Sequence, residues 1–293
     1  MEFRSGFVAI IGRPNVGKST LLNAMLGEKV AIVSEKPQTT RNRMRGVKTT
    51  DDTQVVFIDT PGLHTREGLL NAYMVKEAIG ALTDVDAVVF MVGADETPGK
   101  DEALILDNLK RIKAPVLLVV NKIDLVAKEK LLPLTASYSK RLDFIEIVPI
   151  SAKNSDGVDT LFNSIRALLP PGPKYFPEDI LTDELERVIA AEIVREKVFR
   201  YTKEEVPYSV AVSIEEFKEK PTIIAIKATI NVERDSQKGI VIGKGGAMLK
   251  KIGTAARKDI ERLLDSKVYL ELFVKVKKDW TKNQSALKEF GYH

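Results

Sequence analysis

The chain contains no cysteine, which excludes disulfide bonds and thiolate metal sites. It has only two histidines, His64 and His293, and they lie too far apart in the sequence to indicate a metal site. No segment approaches the roughly 20 apolar residues that a membrane-spanning helix needs. Residues 1–6 lead directly into an apolar run, so we expect neither a signal peptide nor a transit peptide and we expect a cytoplasmic protein.

A strong excess of one charge is also lacking, since 45 Lys and Arg residues stand against 41 Asp and Glu residues, a net charge of +4. The overall charge therefore identifies no class of partner. The length of 293 residues, 44% of them hydrophobic, is enough to bury a sizeable core. That length predicts about two domains.

The most specific motif is a phosphate-binding loop. Residues 12–20 fit the pattern G-x-x-x-x-G-K-[ST] without a mismatch: Gly12, Arg13, Pro14, Asn15, Val16, Gly17, Lys18, Ser19 and Thr20. The apolar run 7–11 predicts a strand before the loop, and 20–26 predicts a helix after it. The glycines let backbone N–H groups point at phosphate oxygens, Lys18 can reach the β and γ phosphates, and the Ser19 hydroxyl can bind Mg²⁺.

Apolar runs alternate with helical patterns along residues 1–170. Strands are predicted at 54–59, 87–92 and 116–121, with a weaker one at 145–150. This alternation is typical of an α/β fold with a mainly parallel sheet that is buried on both faces by helices. Ligands bind such sheets at the carboxyl ends of the strands.

Three further motifs follow strands at that edge. The first consists of Asp59, Thr60, Pro61 and Gly62, in which the Asp59 carboxylate can hold a water on Mg²⁺ and the Gly62 N–H can approach the γ phosphate. The second consists of Asn121, Lys122, Ile123 and Asp124. The Asp124 carboxylate can accept two hydrogen bonds from the N1–H and N2–H₂ edge of guanine, an edge that adenine lacks. The third consists of Ser151, Ala152 and Lys153, where a backbone N–H can meet guanine O6.

With all four motifs in this order, the region resembles the P-loop GTPases over the whole first domain. The resemblance implies that the chain binds GTP and Mg²⁺, has two switch segments and hydrolyses GTP slowly to GDP. The first switch would lie at 37–41. Thr40 is the candidate for the switch threonine that binds Mg²⁺ together with Ser19 and Asp59, and Thr39 is the alternative.

One position departs from the Ras-like members, which carry a water-orienting glutamine directly after D-x-x-G. Here that residue is Leu63, which cannot polarise water. The chain resembles the subgroup with a hydrophobic residue there, in which the residue equivalent to Asn15 helps to bind K⁺. The candidate catalytic residues are therefore Asn15, Lys18, Thr40 and Gly62. His64 is interpreted as a mobile switch residue, with a role as general base as the alternative.

Four prolines within residues 170–177 interrupt the pattern, and we predict a semi-stiff linker at 171–182 between domains at 1–170 and 183–293. The second domain is predicted as a smaller α+β unit. Its predicted elements are a helix at 183–199, strands at 208–216 and 222–232 joined by a hairpin at 219–221, a helix at 247–264 and a strand at 268–276.

Between those strands and the later helix lies a G-x-x-G sequence: Ile242, Gly243, Lys244, Gly245 and Gly246. This order resembles a KH domain of the prokaryotic type, whose glycines allow a nucleic-acid backbone to approach closely. Residues 234–282 carry thirteen Lys or Arg and six Asp or Glu, a net charge of +7. Further candidate RNA contacts are Lys250, Lys251, Lys275, Lys277, Lys278 and Trp280. Trp280 can stack on a base or cover the domain core, and the sequence favours neither.

A GTPase domain joined to a KH domain resembles the bacterial ribosome-assembly GTPases over essentially the full length. That resemblance implies binding to the 3′ tail of small-subunit ribosomal RNA and to the 30S precursor, and it does not imply an obligate oligomer. Two other functions remain open. An ATP-dependent metabolic phosphotransferase is disfavoured by Asn121, Lys122 and Asp124. A GTPase of the inner membrane surface would use the basic face on anionic lipid.

Overall fold

The computed structural model describes residues 2–34, 36–65 and 67–292. Met1 and His293, which the sequence analysis considered, lie outside the described residues. The chain divides into two compact units, one formed by 1–67 with 71–183 and the other by 68–70 with 184–293. Among the described helices, none is long and apolar enough to cross a membrane.

The first unit is built on a six-stranded sheet with the order β2-β3-β1-β4-β5-β6. All neighbouring strands are parallel except β2 and β3, which form an antiparallel pair. The strands are β1 (Arg4–Gly12), β2 (Met44–Thr49), β3 (Thr53–Asp59), β4 (Ala87–Gly93), β5 (Val116–Asn121) and β6 (Glu146–Pro149). The predicted α/β class with a mainly parallel sheet is confirmed.

Five helices cover the sheet: α1 (Lys18–Leu26), α2 (Leu69–Gly80), α3 (Lys100–Leu109), α4 (Leu131–Ser139) and α5 (Val158–Leu168). Alternate residues of β1 enter different cores, because successive side chains of a strand point to opposite faces. Val8 and Ile10 pack with residues of α1 and α5, whereas Ala9 and Ile11 pack with residues of α3 and α4. This two-sided burial explains why the central strands are almost entirely apolar.

The second unit contains a three-stranded sheet of β7 (Ala211–Lys220), β8 (Ile223–Val232) and β9 (Val268–Val276). β7 and β8 form the predicted antiparallel hairpin, but its turn lies at 221–222 rather than at 219–221, because β7 stays paired with β8 as far as Lys220. β8 pairs in parallel with β9. Its helices are α6 (Glu186–Tyr201), α7 (Asp235–Ile242), α8 (Ala247–Leu264) and α9 (Gln284–Glu289). Ile252, Ala256 and Ile260 recur every four residues along α8 and lie in the hydrophobic core that α8 shares with α6 and the sheet, which buries one face of the amphipathic helix.

The segment predicted as a linker is hydrogen-bonded to the first unit along its length, and we call residues 170–183 the strap. The Ser5 Oγ donates to the Pro173 carbonyl at 2.6 Å, and the Val47 N–H donates to the Leu181 carbonyl at 2.8 Å. The prolines prevent a helix or central strand there, but they leave these carbonyl groups free to accept hydrogen bonds. The strap therefore covers the outer edge of the sheet at β2.

Three elements lie outside the sequence predictions. The strand β2 has a charged and mixed sequence, MRGVKT, which gives little apolar signal. The helix α7 contains Gly239 and three β-branched residues, a composition with low helix propensity. The helix α9 has only six residues.

Candidate functional site

The phosphate-binding loop connects β1 to α1. Its backbone needs glycine at two points. Gly12 leaves no room for a side chain, because a Cβ there would lie 2.4 Å from the Met91 carbonyl oxygen. Gly17 has a φ of 101°, in the left-handed region, and begins α1. The N–H groups at this helix end are free to bind phosphate oxygens.

Lys18 is the buried cation of this loop. Its Nζ donates to the carbonyl groups of Gly12 at 3.2 Å and Arg13 at 2.9 Å, and the residue is 6% exposed. Burial lowers the pKa of Lys18 to about 8, although the neighbouring Asp59 and Glu96 carboxylates oppose that shift. A bound phosphate would favour the charged ammonium and restore its proton affinity.

Three oxygen-bearing side chains meet beside the loop. The Ser19 Oγ donates to Asp59 Oδ2 at 2.6 Å and lies 2.9 Å from the Thr40 Oγ1, which itself lies 3.3 Å from Asp59 Oδ2. The hydroxyl of Thr39 instead donates to the Lys36 carbonyl at 2.8 Å. The geometry therefore places Thr40 rather than Thr39 at this cluster.

The cluster fits a magnesium ion. Asp59 is fully buried, and its Oδ1 has no hydrogen-bond partner among the described residues. Burial raises the pKa of Asp59, while Lys18 and the hydrogen bonds from Ser19 and Thr40 oppose that shift. A divalent cation would supply the partner that this carboxylate lacks, and hydroxyl and carboxylate oxygens are ligands that Mg²⁺ prefers.

Asn121 joins the loop to the last strand-end motif. Its Nδ2 donates to the Val16 carbonyl at 2.7 Å, and its Oδ1 accepts from the Ala152 N–H at 2.9 Å. The buried Ser151 hydroxyl donates to Asp124 Oδ1 at 2.7 Å and thereby orients that exposed carboxylate. The Lys122 Nζ pairs with Asp95 at 3.2 Å and with Glu96 at 3.4 Å. The residues predicted to read guanine are thus tied to the phosphate-binding loop.

A cavity of about 650 Å³ unites these motifs. Many of the predicted nucleotide-binding residues line it: Pro14, Asn15, Gly17, Lys18, Ser19, Thr20, Thr40, Gly62, Asn121, Lys122, Asp124 and Lys153. Sequence reasoning missed other lining residues, including Val33, Gln38, Glu96 and Leu125. Two of them carried a usable signal: Gln38 lies within the predicted first switch at 37–41, and Leu125 directly follows the N-K-x-D motif.

Several predicted residues support the cavity from behind. The Arg13 guanidinium forms an ion pair with the Glu96 carboxylate, with 3.2 Å between Nη1 and Oε2. The Thr60 hydroxyl donates to the Ile10 carbonyl at 2.7 Å. Val16 is buried in the core beneath the loop. The remaining predicted residues that do not line the cavity are Gly12, Asp59, Pro61, Leu63, Ile123, Ser151 and Ala152.

The residues after Gly62 are packed rather than exposed. The Leu63 side chain is fully buried in the hydrophobic core, and its N–H donates to the Gly12 carbonyl at 3.1 Å. His64 is 4% exposed, with its Nε2 3.3 Å from the Gln38 Nε2. The interpretation of His64 as a mobile switch residue is corrected: His64 is buried and contacts the side chain of Gln38 in the predicted first switch.

In the second unit, the G-x-x-G loop joins α7 to α8. Gly243, Gly245 and Gly246 have φ angles of 72°, 59° and 80°, all in the left-handed region. A Cβ at Gly243 would lie 2.7 Å from the Met248 Cβ, whereas Cβ atoms at Gly245 and Gly246 would meet nothing within 4 Å. The first glycine thus allows helix packing, and the other two leave backbone open to a ligand.

The predicted cationic residues differ in their surroundings. Lys244, Lys250, Lys275 and Lys278 are exposed, and Ile242 beside the loop is half-buried. The Lys251 Nζ lies 4.4 Å from the centre of the Tyr201 ring. Lys277 forms an ion pair with Glu289, so its charge is already compensated.

The prediction that Trp280 contacts RNA is corrected by its burial. Trp280 has no exposed surface, its Nε1 donates to the Ser209 carbonyl at 2.9 Å, and its ring stacks on Tyr292 and meets Phe290 edge-on. A base cannot reach the ring without unfolding the C-terminal segment. The residue covers the core of the second unit.

Comparison with known families and proteins agrees with this division. The family model described as 50S ribosome-binding GTPase matches residues 7–122, and the KH domain model matches residues 205–281. The chain is similar to the protein named GTPase Era of Geobacter metallireducens, with 59% identity over 99% of this chain and 98% of that one. It is 52% identical to GTPase Era of Ruminiclostridium cellulolyticum, over 100% and 98% of the two chains.

Two solved structures have similar folds over 99% of both chains. One is a variant of Aquifex aeolicus Era bound to GDP and aluminium fluoride, with a TM-score of 0.95 and 43% identity. The other is Era in complex with MgGDPNP and nucleotides 1506–1542 of 16S ribosomal RNA, with a TM-score of 0.96 and 44% identity.

Proposed function

This chain belongs to the Era family of GTPases, and we propose that it is a GTP-controlled RNA-binding protein of 30S ribosomal subunit maturation. Its catalysed reaction is the hydrolysis of GTP to GDP and phosphate, with Mg²⁺. The RNA that we propose it binds is the single-stranded 3′ end of small-subunit ribosomal RNA, the region present in the complex of its relative. The observation that carries this proposal is the open backbone at Gly245 and Gly246, in the same chain as a complete GTPase motif set.

Each nucleotide-site residue has a proposed role. Mg²⁺, held by Ser19, Thr40 and Asp59, would neutralise charge on the phosphates. Lys18 and the loop N–H groups bind the phosphates, and the Gly62 N–H can approach the terminal phosphate. Gly62 sits close to the loop, since a Cβ there would lie 2.6 Å from the Pro14 Cα. These groups stabilise the charge that develops as the terminal phosphoryl group departs.

The base pocket is proposed to select guanine through Asp124. The hydrogen bond from Ser151 uses one lone pair of the Asp124 Oδ1 and holds the carboxylate plane in place. ATP lacks the two donors that this carboxylate would accept from guanine, which disfavours ATP. Asn121 contributes by fixing the loop and the Ala152 backbone rather than by reading the base.

RNA crosslinking tests the proposed target. The protein is crosslinked to total cellular RNA, and the bound fragments are sequenced. We expect enrichment of the 3′ tail of small-subunit ribosomal RNA, and loss of that enrichment when Gly245 is replaced by Asp. Enrichment of unrelated RNA, or an unchanged profile in the variant, would contradict the assigned target or the assigned loop.

Hydrolysis is further proposed to depend on K⁺. Asn15 lines the cavity with a left-handed φ of 64°, and Leu63 is buried in the core and cannot orient water. A K⁺ ion beside Asn15 would neutralise charge between the β and γ phosphates. Replacing KCl by NaCl at constant ionic strength should slow turnover, and Asn15→Ala should abolish the difference. Equal wild-type rates in the two salts would overturn this proposal.

The cytoplasm is the proposed location, because ribosomal RNA is the proposed partner. Peripheral association with the inner membrane surface is a second candidate, favoured by the net charge of +7 in residues 234–282. Sedimentation with anionic liposomes, in competition with single-stranded RNA, separates the two uses of this surface. Binding to liposomes that RNA cannot displace would support the membrane role.

A further inference from the structure

The position that usually carries the water-orienting glutamine cannot serve that purpose here. Leu63 is fully buried among apolar side chains, and the structure places it behind the cavity rather than in its wall. The attacking water must therefore be oriented by another group. A candidate needs a hydrogen-bond acceptor in the cavity wall, close in sequence to the groups that meet the terminal phosphate.

Gln38 satisfies that requirement. It lines the nucleotide cavity together with Lys18, Thr40 and Gly62, and it is two residues from the threonine of the proposed Mg²⁺ cluster. Its φ is 64°, a left-handed conformation that is uncommon for a residue other than glycine. Such backbone strain persists where the surrounding structure holds it in place, and it is frequent at functional sites. The side chain is 7% exposed, so it is held by its neighbours.

A chain of hydrogen bonds fixes which end of the Gln38 amide is available. The Asn71 Nδ2 donates to the Glu67 carbonyl at 2.6 Å, and a carbonyl can only accept. Asn71 must therefore present its Oδ1 to Gln38, whose Nε2 donates to it at 2.9 Å. The same Nε2 lies 3.3 Å from the His64 Nε2. The Gln38 Oε1 is left as an acceptor with no partner among the described residues.

We infer that Gln38 is a catalytic residue that orients the attacking water through its Oε1. Asn71 and His64 act as positioning residues that hold its amide. In the reaction the water oxygen bonds to the γ phosphorus as the bond from that phosphorus to the β–γ bridging oxygen breaks. The electron pair of the broken bond stays on GDP, one proton of the water remains on the phosphate product, and the other goes to solvent. The inference rests on the GTPase reaction given under the proposed function.

Two substitutions of Gln38 test this role. Gln38→Met keeps the length of the side chain but removes the acceptor, whereas Gln38→Glu keeps an oxygen there. We expect Gln38→Met to lower kcat by about 100- to 1,000-fold, the usual effect of losing one group that acts on the transition state. GTP affinity should change by less than about twofold, since the interaction forms only during reaction. Gln38→Glu should recover part of the lost rate.

Binding of GDP with aluminium fluoride gives a readout independent of turnover. Gln38→Met should weaken binding of that transition-state analogue while leaving GDP binding unchanged. A structural role would weaken both, and that result would overturn the inference. Asn71→Ala should lower kcat less than Gln38→Met and should add nothing in the double variant, because it acts through Gln38. Additive losses would contradict the positioning role.

The GTPase activity and the role of Gln38 can be tested separately. If the wild-type protein does not hydrolyse GTP, the proposed function and this inference both fall. If the wild type hydrolyses GTP and Gln38→Met does so equally fast, only the role of Gln38 is overturned.

Discussion

The side-chain amide of Gln54 forms two hydrogen bonds with the backbone of Phe176: Nε2 donates to the carbonyl at 2.8 Å, and Oε1 accepts from the N–H at 3.0 Å. Oε1 also accepts from the Tyr175 N–H at 2.7 Å. Gln54 is fully buried, so the side-chain amide that attaches the strap to the sheet is shielded from water. Gln54 of β3 thus supplies hydrogen-bond partners that the backbone of the proline-rich strap does not provide for itself.

Gln54→Ala should therefore destabilise the first unit. Three backbone groups of the strap lose their partners, and unsatisfied buried groups of this kind cost about 1–3 kcal/mol each when water cannot reach them. We expect a loss of about 2–4 kcal/mol in the free energy of unfolding, because part of the strap will open to solvent. Urea denaturation measures it. Asp51→Ala, at an exposed position of the neighbouring turn, is the control, and equal effects of the two changes would contradict the anchoring role.

This contact also shows where sequence reasoning reached its limit. The prolines correctly indicated that residues 170–177 form neither a helix nor a central strand. They could not indicate that a glutamine more than a hundred residues earlier binds the segment. The missing information was tertiary, and Gln54 stood within an apolar run that only predicted a strand.

Motifs with a local mechanism were more predictable. Lys18 and Ser19 follow a buried strand because phosphate binding needs a helix end at that point, and the sequence places both together. The cluster with Asp59 could be anticipated from strand ends alone. By contrast, Gln38 lines the cavity only because of the way the predicted first switch folds. Trp280 is buried among residues that lie far apart in the sequence of the second unit.

Nucleotide binding should take up protons above pH 8. Burial lowers the pKa of Lys18 to about 8, so at pH 8.5 most of the nucleotide-free protein carries a neutral amine there. Phosphate favours the ammonium form, and binding of GDP should draw a proton from the buffer. Calorimetry at pH 8.5 in buffers of different ionisation enthalpy measures this uptake. It should decline toward pH 7.5, and an uptake independent of pH would contradict the assignment.

The same pKa shift has a consequence for stability. The unfolded chain, in which Lys18 has its ordinary pKa of 10.5, binds more protons than the nucleotide-free folded protein between about pH 8 and that value. The free energy of unfolding contributed by this group therefore rises with pH across that window. Lys18→Met should remove the rise, and Lys18→Ala should abolish nucleotide binding while leaving the fold intact.

Trp280 should matter for folding rather than for RNA contact. Trp280→Ala should lower the stability of the second unit by about 3–5 kcal/mol, the usual cost of truncating a buried aromatic residue. Trp280→Phe keeps a ring beside Phe290 and Tyr292 and should fold with a smaller loss. Its affinity for single-stranded RNA should equal that of the wild type in a filter-binding assay. A folded Trp280→Phe protein that no longer binds RNA would contradict this assignment and support a direct contact between Trp280 and RNA.

Asp124→Asn should change the preferred base. The Ser151 hydroxyl donates to Oδ1 of Asp124, and an asparagine there would keep its oxygen on Ser151 and present its amide N–H₂ to the base. That amide faces the guanine N2–H₂ donor unfavourably but suits xanthine, which carries an oxygen instead. Competition binding should show weaker GTP and tighter xanthosine triphosphate. Ser151→Ala is the control, which should weaken GTP binding without changing the preferred base. An Asp124→Asn protein that still prefers GTP to xanthosine triphosphate would contradict the base-pocket assignment.

Gly245→Asp should strongly weaken the binding of single-stranded RNA while leaving GTP affinity near that of the wild type. The glycine has a φ of 59° and no atom within 4 Å of a Cβ position, so the added carboxylate projects into the space proposed for the RNA backbone. Lys244→Ala should weaken binding less and should make the slope of log K against log salt shallower by about one unit or less, because it removes one cation.

Gly291→Asp separates the effect of the loop from strain and charge. Gly291 also has a left-handed φ, 83°, and an open Cβ position, so this substitution adds the same charge with similar backbone strain away from the loop. We expect it to cost stability comparable to that of Gly245→Asp but to leave RNA affinity near that of the wild type. If both variants bind RNA equally, whether weakly or tightly, the loop at Gly243–Gly246 is not the nucleic-acid clamp. The basic surface would then be better explained by anionic lipid or a docked protein.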